Sequence, residues 1–265
     1  MAFTRAISPA FDRCELTHLP RVPIDLKRAR AQHDAYEWAL VELGCTIRRI
    51  DSAPEMPDSV FIEDTAVIVR EGAVIARPGA AARRAEVPAV GQALARVGLP
   101  QHEIVEPGTL DGGDVLVAGR RVFVGASART NVDAIDQMRR LLQPLGYLVS
   151  TVPVRGCLHL KSAVTAVAHD TLLINRDWVP ADAFSGLTLI DVDPGEPLGA
   201  NALRVAGPQD QARPGDGVVI YPAAFPKTRA RLESHGIRVR TVDVDELAKA
   251  EGGVTCCSLL VDISV

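Results

Sequence analysis

Five times along the chain, a stretch with helix-like spacing passes, through or near a glycine, into a short alternating apolar strand. These transitions occupy residues 44–50, 98–104, 146–152, 186–192 and 236–242, opening at Gly44, Gly98, Gly146, Gly186 and Gly236. A glycine at such a position supplies the left-handed residue that ends a helix, and the alternation that follows suits a half-buried strand. The spacing predicts helices over 28–43, 85–97, 131–145 and 226–235. In the third, Ala134, Ile135, Met138, Leu141, Leu142 and Leu145 fall on one helical face. Strand pairs precede most of these helices: 60–62 with 66–69 and 73–75, and 114–117 with 121–124. The turn signals Glu71-Gly72 and Ala118-Gly119 separate them.

The unit is therefore strand, strand, helix, strand, and the five glycines recur at intervals of 54, 48, 40 and 50 residues. Self-similarity at that period predicts a closed ring of units in a single α/β domain spanning 1–265, with an ordinary open α/β sheet as the alternative. A last unit begins at 253–262 and runs out of chain, so residues 32–50 are expected to complete it and close the ring.

Composition narrows the partners. The 265 residues are 47% hydrophobic and 23% charged, as in an ordinary globular chain long enough for a sizeable core. With 29 Lys plus Arg against 33 Asp plus Glu, the net charge of -4 argues against a nucleic-acid partner. No run of apolar residues is long enough for a membrane span, and the first residues lack a signal-peptide core. The five cysteines are odd in number and two are adjacent, which suits free thiols in a reducing cytoplasm better than disulfides.

Polar residues interrupt the first strand of each unit. They are Glu63-Asp64, then Asp111-Gly112-Gly113-Asp114, His159, Asn201, and Thr255-Cys256. Equivalent positions in a ring of repeats face one axis, so carboxylates, an imidazole and a thiol are expected to converge on one cavity. A thiolate attacks, a histidine exchanges protons, and carboxylates hold a planar cation. Each residue also has a plainer reading. Cys256 alone suits a buried core thiol, and neighbouring Cys257 is assigned to packing. His159 between Leu158 and Leu160 suits a hydrogen-bonded core histidine. Cys157 and His159 lack the second pair that a zinc site needs, so no metal is expected. Asp111 to Asp114 could be a tight turn. Glu63 and Asp64 are harder to dismiss, because buried carboxylates require a cationic partner, either Arg83-Arg84 or a ligand.

Taken together, Asp58 to Asp64, Arg77-Pro78-Gly79-Ala80 with Arg83-Arg84, Thr109 to Asp114, Ser127 to Asn131, Leu158 to Ser162 and Thr255 to Ser258 resemble the dimethylarginine dimethylaminohydrolase family. Six motifs appear in order over nearly the whole chain. The resemblance implies the pentein fold, a five-bladed α/β propeller of ββαβ units around a central active-site cavity. It implies hydrolysis of asymmetric dimethyl- and monomethyl-arginine to citrulline and a methylated amine, with no cofactor, a small guanidinium amino acid as partner, and a monomer or homodimer. Position by position, it makes Cys256 the nucleophile, His159 the general acid/base and Asp111 the third member of the triad. Asp64 and Glu63 become the guanidinium carboxylates, Asp58, Arg83 and Arg129 the groups at the amino-acid end, and Leu16 a lid residue. Ala250-Glu251 stands where relatives carry a larger aliphatic residue followed by Asp, and Lys161 stands where arginine deiminases carry an acid. An amidinotransferase or deiminase using the same site, and a non-catalytic relative, are the rival readings.

Overall fold

The computed structural model describes residues 1–205 and 217–262. Its fifteen described strands form five three-stranded sheets of one design. In each, the middle strand pairs antiparallel with the strand before it and parallel with the strand that returns after the crossover. The first sheet joins β3 (Ala66–Val69), β4 (Gly72–Ile75) and β5 (Gln101–Glu103), with α2 (Val87–Arg96) as the crossover. The second joins β6 (Val115–Ala118), β7 (Arg121–Ala126) and β8 (Leu148–Pro153) through α3 (Val132–Leu142). The third joins β9 (Val164–Ala166), β10 (Thr171–Ile174) and β11 (Thr188–Asp191), and its crossover is a 3₁₀ turn at Ala181–Phe184. The fourth joins β12 (Leu203–Val205), β13 (Val218–Pro222) and β14 (Arg238–Val242) through α5 (Pro226–Ser234).

The fifth sheet closes the molecule. Its first strand is β15 (Leu259–Leu260), whereas β1 (Ala2–Arg5), the helix α1 (Leu26–Glu42) and β2 (Ile47–Ile50) come from the opposite end of the chain. The sequence pattern placed only the helix and the last strand there. β1 escaped it because all four of its residues are buried, so the strand shows no alternation to read. The first strands of all five sheets line one axial cavity of roughly 260 Å³, which makes the arrangement a closed ring rather than an open sheet.

Helix ends follow the chemistry of their sequences. Asp25 caps α1 by accepting the N–H groups of Lys27 and Arg28, and Asn131 caps α3 through Ala134. The five glycines of the repeat all adopt positive φ, between 76° and 88°. Residues 60–62, expected as strand, are not one. The chain there enters a 3₁₀ turn, Ile62–Thr65, immediately ahead of β3.

Gly236 has φ +78° and no atom within 4 Å of where a Cβ would stand, so an alanine there would suffer only backbone strain. Gly236→Ala should lower stability by about 1 kcal/mol, seen as a reduced urea midpoint with unchanged m-value. An unaltered midpoint would show that the helix-ending conformation is not required.

Candidate active site

The polar residues that break the repeat sit in turns just before the first strand of each unit, not within the strands. They are the 3₁₀ turn Ile62–Thr65, the 3₁₀ turn Gly112–Asp114, the short helix α4 (Leu160–Ala163) with His159 at its N-cap, Asn201, and the turn at 254–257. A short strand preceded by a turn leaves side-chain and backbone polar groups free to meet across the axis.

They meet in a closed cycle of hydrogen bonds. Gly113 N–H donates to Asp64 Oδ1 at 3.0 Å, and Leu160 N–H to Asp114 Oδ1 at 2.9 Å. Asn201 Nδ2 donates to the Lys161 carbonyl at 3.0 Å, and Thr255 N–H to Asn201 Oδ1 at 3.1 Å. Glu63 N–H donates to the Cys256 carbonyl at 3.1 Å, which returns the cycle to its first unit. Close approach needs the glycines. A Cβ on Gly112 would stand 2.0 Å from the Glu63 carbonyl oxygen, and one on Gly113 would stand 2.7 Å from His159 Nδ1.

His159 lies between two carboxylates. Its Nε2 is 3.0 Å from Asp111 Oδ2, and its Nδ1 is 3.9 Å from Asp64 Oδ1. Burial alone would lower its pKa, but Asp64, the hydrogen bond to Asp111 and the charge of Asp114 outweigh that and raise it to about 9. The imidazole is therefore cationic at neutral pH. Asp64 is opposed by burial, yet His159 and Arg83 hold it down to about 2. Asp114, fully buried, is pushed up to about 6 by desolvation, while Ser127 Oγ and Leu160 N–H donate to it.

Cys256 is half-buried, and its Sγ accepts a hydrogen bond from Gly253 N–H at 3.3 Å. Burial, then the charges of Glu63 and Asp64, push the thiol up to about 12. Cys257 is buried in the core beside α1. Glu63 has its own cation: Lys161 Nζ is 2.6 Å from Oε1, and Thr255 Oγ1 donates to Oε2 at 2.7 Å.

The residues expected at the amino-acid end divide. Asp58 accepts from Glu15 N–H at 3.1 and 3.2 Å. Arg129 donates to Thr17 Oγ1 at 3.1 Å, with Nη1 3.8 Å from Asp111 Oδ2. Both thus face the loop that carries Leu16, and Leu16 packs on the same apolar cluster as Ala250 and Cys256. Arg83 does not join them. It is 4% exposed, and its guanidinium is committed to Asp64, Glu86 and the carbonyls of Asp58 and Phe61. It is the cationic partner of Asp64, a role that burial dictates.

Asp64, Asp111 and His159 offer three metal-type ligand atoms within 4.8 Å of one another, but Arg83 and the imidazolium already supply the positive charge. His33, Asp34 and Glu37 form a second such group, whose cation is Arg49. Asn201 and Thr255 were legible as polar interruptions and Lys161 only as a departure from the deiminases, but their links across the cycle were not. Glu251 gave no motif beyond its departure from the relatives.

A family model for eukaryotic N,N dimethylarginine dimethylhydrolase matches residues 21–262. The chain is 39% identical over 258 residues to N(G),N(G)-dimethylarginine dimethylaminohydrolase of Streptomyces coelicolor, covering 97% of this chain and 95% of that one. It is 34% identical over 236 residues to the enzyme of the same name from Pseudomonas aeruginosa, covering 89% of each. A solved structure of the Pseudomonas aeruginosa enzyme, a cysteine-to-serine mutant complexed with citrulline, superposes with a TM-score of 0.88 at 31% identity over 97% of both chains. The N-terminal domain of the cyanobacterial arginine dihydrolase ArgZ shares the fold, with a TM-score of 0.81 at 17% identity. With a ring of five ββαβ-type units and these matches along its length, the chain belongs to the dimethylarginine dimethylaminohydrolase family.

Proposed function

We propose that the protein hydrolyses Nω-methylated L-arginine to L-citrulline and a methylated amine through a covalent thiouronium on Cys256. The observation that carries this reading is the His159 imidazolium held between Asp111 and Asp64, with Glu63, the neighbour of Asp64, bonded through its N–H to the Cys256 carbonyl.

With the thiol raised to about 12, the unliganded site holds neutral Cys256 next to two acids. A guanidinium lying against Asp64 and Glu63 offsets those charges, which lowers the thiol pKa and favours the nucleophilic form only when substrate is present. The thiolate adds to the central guanidinium carbon. The bond from that carbon to the methylated nitrogen then breaks, with His159 giving its proton to the departing amine. Water attacks the resulting thiouronium as His159 takes a proton from it. The carbon–sulfur bond breaks as the new hydroxyl loses its remaining proton to solvent and becomes the carbonyl, returning the thiolate and releasing citrulline. Asp111 orients the imidazole and stabilises its charged form. Arg83 acts through Asp64, as a positioning residue. Asp58 and Arg129 hold the α-amino and α-carboxylate groups under Leu16, with Ala250 on the wall. Lys161 neutralises Glu63 where a deiminase carries an acid, which suits a pocket for a methylated nitrogen.

Cys256→Ser should fold as the parent does and release no measurable citrulline from asymmetric dimethylarginine, because a hydroxyl is a far poorer nucleophile. Undiminished citrulline would reject the assignment. With an acceptor amine present, formation of ornithine and a new guanidino compound by the parent would favour amidino transfer instead. Arg129→Ala should raise KM by about tenfold or more with a modest change in kcat, as expected for lost ground-state binding. A collapse of kcat at unchanged KM would contradict an anchoring role.

A further inference from the structure

Glu251 lies five residues before the nucleophile and adopts φ +57°, the left-handed region that side chains other than glycine and asparagine rarely enter. Its carboxylate does not face the catalytic group. It reaches across to the loop at the other end of the chain and accepts three consecutive backbone N–H groups. Thr17 N–H donates to Oε2 at 3.0 Å, while His18 and Leu19 N–H donate to Oε1 at 2.5 and 2.6 Å. Three amides converging on one carboxylate is how a loop is fixed at a point, since each N–H would otherwise bond to water.

We propose that Glu251 is the positioning residue that latches the Leu16 loop over Cys256. The inference rests on the amidine-hydrolase reading of the site. Around Leu16 the loop has two other polar holds among the described residues, Asp58 to Glu15 N–H and Arg129 to Thr17 Oγ1, while its far end is tied by Lys249 Nζ to the Pro23 carbonyl and by Asp25 N–H to Glu246. Asp58 and Arg129 are groups that the substrate's amino-acid end would claim. Substrate arrival therefore draws on those two holds and leaves Glu251 as the hold next to Leu16 that is independent of occupancy. Because only Gly252 and Gly253 separate Glu251 from the turn at 254–257 that carries Cys256, the latch fixes the loop close to the nucleophile. Leu16 and Cys256, packed on one apolar cluster, are kept in register by it. The left-handed backbone aims the side chain out of its own turn and towards the loop.

The test uses the full chain with Glu251→Asn, which tolerates positive φ but is too short to span the three amides. A second variant, Glu251→Gln, keeps the length and one acceptor oxygen. Three quantities are read: alkylation of Cys256 by iodoacetamide without substrate, located by mass spectrometry; tryptic cleavage after Arg13 and Arg21; and KM with kcat for asymmetric dimethylarginine. For Glu251→Asn, alkylation and cleavage should each accelerate about fivefold or more, and KM should rise about tenfold with kcat within about threefold, Glu251→Gln falling between. Alkylation and cleavage rates within about twofold of the parent in both variants would overturn the latch. Absence of turnover by the parent would refute the hydrolase reading, while alkylation and cleavage would still decide the role of Glu251.

Discussion

Everything chemical in this molecule depends on one cycle of hydrogen bonds around its axis, running through Glu63–Asp64, Gly113–Asp114, Leu160–Lys161, Asn201 and Thr255–Cys256. Each unit contributes one turn, and each turn bonds to the next. Three of the five links are backbone amides received by side-chain acceptors, one is a side-chain amide on a carbonyl, and one is backbone to backbone. A propeller alone brings five strand ends near an axis, but the cycle fixes their spacing to within a hydrogen bond. Asp64, Asp111, His159 and Cys256, the groups proposed to act on substrate, lie roughly 50 to 100 residues apart in succession and need that precision, because small misplacements of reacting groups cost rate steeply.

The cycle also confines charge. Glu86, Arg83, Asp64, His159 and Asp111 alternate in sign through a nearly dry interior, and Arg129 stands at the far end. Taking such groups out of water is unfavourable individually, and removing one member of a buried pair typically costs about 3–5 kcal/mol. Alternation explains why Asp64 stays ionised despite full burial and why His159 holds its proton at neutral pH. Cys256 is the exception. It faces acids with no cation of its own, so burial and Glu63 and Asp64 keep its thiol protonated. Among the described residues no cation is paired with Cys256 itself, and under the proposed function the substrate's guanidinium would take that place.

Much of the architecture was legible because it is repetitive. Gly44, Gly98, Gly146, Gly186 and Gly236 end the preceding segment in the same backbone conformation, and that regularity exposes the unit. β1 was not legible, since a fully buried four-residue strand shows neither alternation nor length. Glu63, Asp64 and His159 stood out as polar residues in apolar surroundings, although they occupy turns rather than strands. Arg83 shows the limit of carrying a role over by position. Its neighbours in sequence match the family, but which way its guanidinium faces is set by Glu86 and Asp64, and no motif reports that. The grip of Glu251 on Thr17, His18 and Leu19 spans more than 230 residues and leaves no local trace.

The most direct measurement is the titration of His159 in the unliganded protein, followed by NMR with His159→Gln to assign the signal. Paired with Asp64 and Asp111, the imidazole should lose its proton near pH 9 rather than near 6.5. A folded-state pKa raised in this way contributes stability that is fully present below about pH 6.5 and is lost as the pH rises through about 9, so the protein should weaken over that window. A midpoint at or below 6.5, with stability flat across the same range, would contradict the claim that Asp64 and Asp111 hold a charged imidazole at the axis.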